Sequence, residues 1–356
     1  MEEKEKTGPL VSIVINNYNY GRFVGEAIES ALAQTYPHVE VIVVDDGSTD
    51  DSREAIARYG ERVRPVFKEN EGQASAFNAG FAVSRGDLVI FLDADDVLFP
   101  NAVEEVVAVW RPELSKVQWR LRLAAEDLKP LGATWPSEKG MPSGNVRDSL
   151  LRFRYYPSPP TSGNAFSRWL LERILPMPEG EWRIAADSYL LTLAGLYGEV
   201  RSIDKELGYY RVHGKNFWHT SGWNTEEAKR KLLQQVKTGL QQKNLLEKEA
   251  HSLGFPFRPR YTPFAAKTEI ALSLLDPGAL KALGPFPNRM VLALKGVYAS
   301  FVYPYMPSSF SRIRLSIWFL LTGFLPPFLA KGLVIWGILP STRPKWLARF
   351  LRASEF

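Results

Sequence analysis

The segment most informative about the fold is Leu88-Val-Ile-Phe-Leu-Asp-Ala-Asp-Asp96, in which a short apolar run leads directly into three carboxylates. An uninterrupted apolar run that stops at polar residues is typical of a buried parallel strand that ends at the edge of a sheet. Two earlier runs have the same form: Val11–Ile15 precedes Asn16, and Val39–Val44 precedes Asp45-Asp46. Because helical spacing separates these runs, they predict an α/β fold with a parallel sheet, covering helices and a ligand site at its carboxyl edge.

Beyond this region the pattern changes. Four polar residues from Lys116 to Arg122 alternate with apolar ones, which predicts a strand with one solvated face. The Pro- and Gly-rich segment from Pro130 to Gly144 predicts a loop, and Ser48 or Thr49 is expected to cap the helix after the second strand. The other predicted elements are a strand at Val63–Phe67, a helix at Gln73–Val83, a strand-like segment at Thr161–Phe166, a helix near Ala186–Tyr197, a strand at Leu207–Val212 and a polar helix from Thr225 to about Leu253.

Composition excludes several classes of site and divides the chain by charge. The 356 residues include no cysteine, which rules out disulfides, thiolate metal sites and a cysteine nucleophile. The net charge is +5, but the residues from Phe257 onward include thirteen basic and three acidic ones, whereas the preceding part has a net charge of −5. This asymmetry predicts that the C-terminal part meets an anionic surface, either lipid headgroups or nucleic acid.

The acidic cluster Asp93–Asp96 is the first candidate for chemistry. Three carboxylates within four residues repel one another and are costly to bury unless a cation neutralises them. Hard oxygen ligands at the end of a strand suit magnesium or manganese bridging a substrate diphosphate. The alternative is an acidic turn before the helix that follows Pro100-Asn101. Asp45-Asp46 likewise offers acceptors for a base N–H or a ribose hydroxyl, or else forms a turn before Gly47.

A series of segments extends these observations. They are Val11-Ser-Ile-Val-Ile-Asn-Asn-Tyr-Asn19, Ala31-Leu-Ala-Gln-Thr-Tyr-Pro37, Val43-Val-Asp-Asp-Gly-Ser-Thr-Asp50, Asn70-Glu-Gly72, Asn78-Ala-Gly80 and Gly86–Asp96. In this order they resemble the opening of family 2 glycosyltransferases, closely over residues 9–110 and more loosely to about residue 220. The resemblance implies a GT-A fold with a nucleotide-binding mixed sheet, in which a donor half at about 9–115 adjoins an acceptor half at about 116–220.

The resemblance also implies roles for residues of the donor site. Asn16 and Asp46 would contact the uridine, and Asp45 would support that loop. Asp93 would lie near the ribose, and Asp95 would hold the Mn²⁺ or Mg²⁺ bound to the donor diphosphate.

The chain departs from the family at Phe77, where many members have an arginine that helps to hold the nucleotide. Lys68 or Gln73 is expected to replace that arginine. The expected donor-binding residues are Asn16, Asp45, Asp46, Lys68, Gln73, Asn78, Asp93, Arg211 and Lys215.

The segment Glu181–Asp187 precedes an apolar helix. Family members often have Glu-Asp at its end, the second residue being the catalytic base; here Ala186 replaces the glutamate, so only Asp187 carries over. An inverting transfer needs one carboxylate to deprotonate the acceptor hydroxyl as it attacks the anomeric carbon. The alternative role for Asp187 is a helix N-cap.

Two later segments extend the match. Tyr209-Tyr-Arg-Val-His-Gly-Lys-Asn216 resembles the Tyr-Arg-x-His segment that closes this domain in many relatives. His213 would ligate the metal or bond a diphosphate oxygen, and Arg211 or Lys215 would offset phosphate charge; a structural histidine is the alternative. The segment Thr161–Phe166 lies where relatives line the acceptor pocket, and a plain turn is the alternative there. The expected acceptor-binding residues are Thr161, Asn164 and Trp182.

These features predict an inverting, metal-dependent glycosyltransferase that uses a nucleoside-diphosphate sugar, with UDP as the expected nucleotide, and a glycan or lipid-linked glycan acceptor. One alternative is a nucleotidyltransferase that makes sugar nucleotides, although such enzymes usually open with a glycine-rich, basic phosphate loop that residues 16–21 lack. The other alternative is a non-catalytic, membrane-attached carbohydrate-binding protein. Nucleic acid is not an expected partner, because the basic tail is too apolar for a solvated phosphate-binding arm.

The C-terminal region is expected to be a separate unit, so that a glycosyltransferase domain at 1–220 precedes a helical, apolar and basic region at 221–356. Leu315–Leu339 is long enough to cross a bilayer, but Pro326-Pro327 and Lys331 interrupt it. Two helices, Ser311–Leu325 and Phe328–Leu339, are therefore predicted to lie in the interface at the cytoplasmic face of the cell membrane, with Trp318 and Trp336 at headgroup depth. The alternative is that they pack as a soluble layer.

Overall fold

One mixed sheet organises the first part of the chain. The computed structural model describes residues 8–137, 140–214, 216, 224–339 and 342. The strands are β1 (Val11–Asn17), β2 (Val39–Asp46), β3 (Arg64–Lys68), β4 (Leu88–Asp93), β5 (Val97–Leu98), β6 (Leu114–Ala124), β7 (Pro130–Trp135), β8 (Asn164–Ser167) and β9 (Glu199–Arg211). They pair in the order β3-β2-β1-β4-β8-β6-β9-β5, and β7 pairs with β6. β1 to β4 are parallel and β8 is antiparallel to its neighbours, so the predicted mixed sheet is confirmed.

The helices divide between two units of the chain. The first unit contains Met1–Leu150 and Tyr155–Val212, and the second contains Leu151–Arg154 and His213–Phe356, where the sequence predicted a boundary after residue 220. The α-helices of the described residues are α1 (Gly21–Leu32), α2 (Ser52–Ala57), α3 (Gln73–Val83), α4 (Ala102–Val109), α5 (Arg147–Phe153), α6 (Arg168–Ile174), α7 (Ala186–Tyr197), α8 (Thr225–Ser252), α9 (Pro263–Leu275), α10 (Pro277–Ala282), α11 (Arg289–Val302), α12 (Ser309–Phe324) and α13 (Pro327–Ile338).

Close packing of α3 on the sheet explains one of the quoted motifs. A Cβ atom on Gly80 would lie 2.2 Å from a methyl carbon of Val14 and 3.1 Å from one of Val44, so only glycine allows α3 to approach β1 and β2 this closely. The register of the same strands places Asn16 opposite Asp93 and Asn17 opposite Asp45. The polar residues that follow the apolar runs are therefore neighbours at the carboxyl edge.

Two local predictions are wrong. The segment predicted as a loop after Pro130 contains β7, which extends the sheet through β6. The N-cap of α2 is Asp51, not Ser48 or Thr49. The Ser48 hydroxyl instead accepts hydrogen bonds from the Asn19 N–H and the Asn17 side chain, so it stabilises the turn between β1 and α1.

The predicted solvated face of β6 is also covered in part. Lys116 and Gln118 are fully buried, because the segment before β8 packs over this end of the strand. The Gln118 amide donates to the Pro157 carbonyl and to Ser202, and Lys116 bonds to Ser158. Period-two alternation separates the two faces of a strand, but it does not exclude a covering segment on the polar face.

The described part of the second unit is helical. α9 shares one apolar cluster with α11 and α12 and another with α8, α10 and α13. The two predicted C-terminal helices are present as α12 and α13, separated at Leu325-Pro326. Among the described residues, no helix combines the length and the apolar character needed to cross a bilayer.

Candidate active site

The carboxyl edge of the sheet carries a network of amides and carboxylates. The Asn16 side chain donates to Asp93 at 2.7 Å, and the Asn17 side chain donates to Asp45 at 2.9 Å. Arg53 adds an ion pair of 3.1 Å to Asp45. The structure thus brings together three of the predicted donor-site residues, Asn16, Asp45 and Asp93. Sequence analysis did not single out Asn17, whose side chain holds Asp45 beside this group.

Asp46 orders the segment after β3. Its carboxylate accepts hydrogen bonds from the Lys68 ammonium group at 2.9 Å, the Asn70 side chain at 3.0 Å, and the N–H groups of Glu71 and Gly72 at 3.1 and 2.8 Å. These four donors use the acceptor positions of an ionised carboxylate. A contact between Asp46 and uridine would have to replace one of these four hydrogen bonds. Lys68, predicted to bind the donor, bonds to Asp46 in this structure.

The same segment connects the donor side to the start of α7. Gly72 has a φ of +97°, and a Cβ on it would lie 2.4 Å from the Arg183 side chain, which explains the glycine in Asn70-Glu-Gly72. The Gln73 N–H donates to the Arg183 carbonyl, and the Gln73 side chain accepts from the Ala186 N–H, each at 3.0 Å. Gln73 therefore positions the helix that carries Asp187.

Two residues near the family departure have structural contacts. Phe77 is fully buried and its ring stacks on Phe91 with centroids 4.4 Å apart, so this position belongs to the core. The Asn78 amide donates to the Met177 carbonyl and the Glu179 carboxylate, and its oxygen accepts from the Met177 N–H. The predicted contact between Asn78 and the donor is therefore not supported, because the side chain holds the loop before α7.

The acidic cluster carries an excess of negative charge. Burial, together with the charge of Asp95, raises the pKa of Asp93 to about 7, and the same causes raise the pKa of Asp96 well above its usual range. Asp96 accepts hydrogen bonds from the Ser162 hydroxyl at 2.6 Å and the Arg211 N–H at 3.0 Å, so its role is structural. Burial and the charges of the cluster also raise the pKa of Tyr210 well above its usual range.

A divalent cation fits this charge, and Asp95 is the residue expected to hold it. In the described part of the chain, no three or more His, Asp or Glu side chains are arranged to hold a metal ion on their own. Mg²⁺ and Mn²⁺ are commonly held by one or two carboxylates together with substrate phosphates and water, so a site of this kind requires fewer protein ligands.

Thr161 connects the acidic cluster to Asp187. The Thr161 hydroxyl acts to lower the pKa of Asp93, the Thr161 N–H acts to lower the pKa of Asp187, and the charge of Asp187 raises the pKa of Asp93. Burial is the main cause that raises the pKa of Asp187 above its usual range. The N-cap of α7 is Ala185, so the alternative in which Asp187 caps that helix is not supported. Thr161 therefore lies near both the candidate base, Asp187, and the donor-side residue Asp93.

Lys116 is a buried lysine of this region, whereas the alternating pattern of β6 predicted that its side chain would be solvated. Its ammonium group donates to the Asn164 side chain at 2.6 Å and to Ser158 at 2.8 Å, and burial lowers its pKa well below the usual range. Its charge opposes the rise in the pKa of Asp187, so the two groups share one electrostatic environment. A lysine alternating with apolar residues gives no signal of burial.

Three predicted ligand contacts are not supported, because the side chains are buried and packed. Asn164 is fully buried and its amide also donates to the Pro159 and Pro160 carbonyls. Trp182 is 1% exposed and packs edge-to-face on Tyr189, which leaves no ring face for a sugar. The guanidinium group of Arg211 bonds to the Asp95 carbonyl at 2.8 Å and Glu26 at 2.6 Å, so its contacts are within the protein.

The last two predicted ligand residues are His213 and Lys215. His213 belongs to the second unit, is buried, and donates its N–H to the Asn216 side chain. Its role as a metal ligand stays a prediction. Lys215 lies outside the described residues.

The chain is similar to known proteins along most of its length. A family model described as Glycosyl transferase family 2 matches residues 12–130. An uncharacterised glycosyltransferase of Nostoc sp. is 35% identical over 226 residues, which cover 62% of this chain and 70% of that protein. One from Rickettsia prowazekii is 44% identical over 101 residues, and this chain spans only 32% of its length.

The fold is similar to that of a solved structure. Residues 1–349 of TarS from S. aureus, in complex with UDP-GlcNAc, are 15% identical, with a TM-score of 0.50 over 87% of this chain and 90% of that one. The mixed sheet with flanking helices is that of GT-A-type glycosyltransferases.

Proposed function

Because this chain belongs to glycosyl transferase family 2, we propose that it transfers a sugar, with inversion, from a nucleoside-diphosphate donor to a hydroxyl group of a glycan or lipid-linked glycan. UDP is the proposed nucleotide. The observation that carries the proposal is the proximity of Asp187 to the donor side, since the charge of Asp187 raises the pKa of Asp93 and Thr161 lowers the pKa of both carboxyl groups. An acceptor hydroxyl between these two carboxylates would meet the base and the donor together.

Asp187 is the proposed general base. It accepts the proton of the acceptor hydroxyl while that oxygen forms a bond to the anomeric carbon and the bond from this carbon to the diphosphate breaks. Because burial raises the pKa of Asp187, the carboxylate is a stronger base than an exposed aspartate. The Ser188 N–H donates to the Asp187 carboxylate at 2.8 Å, and Gln73 fixes the start of its helix.

Asp95 is the proposed ligand of Mn²⁺ or Mg²⁺, with the neighbouring carboxylate of Asp93 on the ribose side. When bound, a divalent cation supplies positive charge for the departing diphosphate. The raised pKa values of Asp93 and Asp96 support this assignment, since they indicate more negative charge than the protein neutralises by itself. His213 is proposed as a further ligand on the resemblance alone.

A donor panel tests the reaction. The protein is incubated with UDP-, GDP- and TDP-sugars, with and without Mn²⁺, and nucleotide release and product configuration are measured by NMR. We expect metal-dependent release of UDP and a product of inverted anomeric configuration. Retained configuration would contradict the inverting mechanism. Formation of a nucleoside triphosphate and a sugar 1-phosphate when pyrophosphate is added to the same mixtures would favour a nucleotidyltransferase. Sugar binding without any turnover would favour a carbohydrate-binding protein.

The proposed location is the cytoplasmic face of the cell membrane, where a lipid-linked acceptor would be available. The excess of basic residues after Phe257 supports this location. Fractionation of cells that express the full chain tests it: recovery of the protein in the soluble fraction at low salt would contradict membrane attachment.

A further inference from the structure

α11 and α12 form an antiparallel hairpin. At one end, Arg289 of α11 donates to the Leu325 carbonyl at 2.8 Å. At the other end, Arg312 of α12 donates to the carbonyls of Ser300 and Phe301 at 2.8 and 2.7 Å. Between these ends the helices pack closely, and the ring of Phe319 lies against Gly296. The buried sides of both helices pack with α9 in one apolar cluster.

The opposite sides of the same two helices are apolar and exposed. On α11 the exposed residues recur every three or four positions, and on α12 they do the same, so each helix presents one stripe. Phe310 is 65% exposed and Phe328, at the start of α13, is 74% exposed. We call this set the hairpin face; it consists of Met290, Val291, Leu294, Tyr298, Phe301, Phe310, Ile313, Ile317, Leu320, Leu321, Phe324, Phe328 and Leu329.

A surface with thirteen exposed apolar side chains is unusual for a protein that contacts only water. Monomeric soluble proteins rarely expose large contiguous apolar patches, and those that do use them for binding. These side chains do not stabilise the unit by burial, because the core of the hairpin lies on the other side of both helices.

Charge distinguishes the possible occupants of the hairpin face. The described residues 277–339 contain six Lys or Arg residues and no Asp or Glu, and the Arg314 guanidinium lies 5.8 Å from the ring centroid of Phe310 in the hairpin face. Two copies of such a surface would repel each other, which disfavours a second copy of the chain as the occupant. An anionic lipid surface satisfies both properties, because acyl chains accept the apolar side chains and headgroups accept the cations.

We propose that the hairpin face lies in the interface of an anionic lipid bilayer, with α11 and α12 parallel to the membrane plane. The exposed side chains would enter the boundary between headgroups and acyl chains, to a depth of roughly 5–10 Å. The anchoring aromatic residues are then Tyr298, Phe301 and Phe310. Trp318, expected at headgroup depth, instead packs in the apolar clusters under Lys267, whose ammonium group lies 5.9 Å from the ring centroid.

Vesicle co-sedimentation of the full chain tests the proposal and requires no turnover, so it is independent of the proposed reaction. The probes are phosphatidylcholine vesicles and vesicles containing about one third phosphatidylglycerol. We expect binding to the anionic vesicles that weakens as salt rises, because counterions screen the charges. The variant Ile313→Ser/Ile317→Ser should bind at least tenfold more weakly, with an unchanged melting temperature, since both side chains are exposed.

The matched control is Leu131→Ser/Trp135→Ser, which removes two exposed apolar side chains from the first unit. It should bind anionic vesicles as the unmodified protein does. Equal binding by the Ile313→Ser/Ile317→Ser variant would overturn the proposal. So would a protein that ignores vesicles but forms a dimer that this variant dissociates, since the hairpin face would then contact a second copy.

Discussion

The carboxyl edge of the sheet in the first unit buries charged side chains, whereas the hairpin face of the second unit exposes apolar ones. Around the carboxyl edge of the sheet, Asp96 and Lys116 are buried. Burial raises the pKa of Asp96 and lowers the pKa of Lys116, so it favours the neutral form of each side chain. In the hairpin face, phenylalanine, leucine and isoleucine side chains contact water instead. Both arrangements cost free energy of folding, because charges prefer water and apolar groups avoid it.

The contrast indicates what each unit is organised to bind. Buried carboxylates are retained where a cation or a reacting proton uses them, and exposed apolar side chains are retained where another apolar phase covers them. Binding in the first unit should therefore depend on single charged atoms. In the second it should depend on the summed area of many side chains.

The largest expected effect is that of Asp95→Asn in the first unit. A neutral amide is a poor ligand for a hard dication, so the affinity for UDP in the presence of Mn²⁺ should fall to the affinity measured without metal. Isothermal calorimetry measures both values. Asp127→Asn, which removes a carboxylate from an exposed turn, is the control. Unchanged affinity in Asp95→Asn would remove this residue from the proposed metal site.

Asp187→Asn should lower kcat by a factor on the order of 10²–10⁴ while the affinity for the donor stays unchanged. The amide cannot accept the proton of the acceptor hydroxyl, but it leaves Asp93 and Asp95, the proposed residues of the donor side, in place. Steady-state kinetics with a separate measurement of donor affinity distinguish the two quantities. If turnover stays near normal, Asp187 has only a structural role; Glu181→Gln, an exposed neighbour, is the control.

A pair of phenylalanine variants tests whether the hairpin face belongs to the core. Phe319→Ala should lower the free energy of unfolding by about 3–5 kcal/mol, because Phe319 is fully buried. Phe310→Ala should change it by less than about 0.5 kcal/mol, because that side chain is largely exposed. Urea unfolding measures both. A similar loss in the two variants would show that α12 is buried on both sides, which would break the contrast between the units.

Glu269 makes the stability of the second unit depend on pH. Burial raises its pKa to about 7, although Tyr261 bonds to it and the charges of Arg154 and Lys295 oppose the shift. Between about pH 4.5 and 7 the unfolded chain releases this proton and the folded chain keeps it, so stability falls as pH rises through that window.

Glu269→Gln should remove this contribution, which is at most about 3 kcal/mol. Urea unfolding of both proteins at pH 5 and pH 8 measures it, and the variant should lose less stability between the two. An equal loss in both proteins would mean that Glu269 ionises in the folded unit much as it does in the unfolded chain.

Much of the first unit could be predicted from the sequence. The parallel strands, α3, α7 and the acidic ends of the strands follow from apolar runs and helical spacing, which depend on neighbouring residues only. Of the predicted site, the structure brings together Asn16, Asp45 and Asp93, and it places Asp187 near enough for its charge to raise the pKa of Asp93. The contacts expected for Asn164, Trp182 and Arg211 did not follow, because a sequence does not show which polar side chains another segment will cover.

The sequence by itself determined the order of β1 to β4 and of the helices between them, the position of the acidic cluster and the charge of the C-terminal part, since these depend on local periodicity and composition. The tertiary structure alone decided that Lys116 is buried, that Asp46 holds the loop after β3, and that the hairpin face is exposed. The physical reason is that periodicity defines the faces of a helix or strand. Which of those faces is buried depends on contacts between elements that are distant in the sequence.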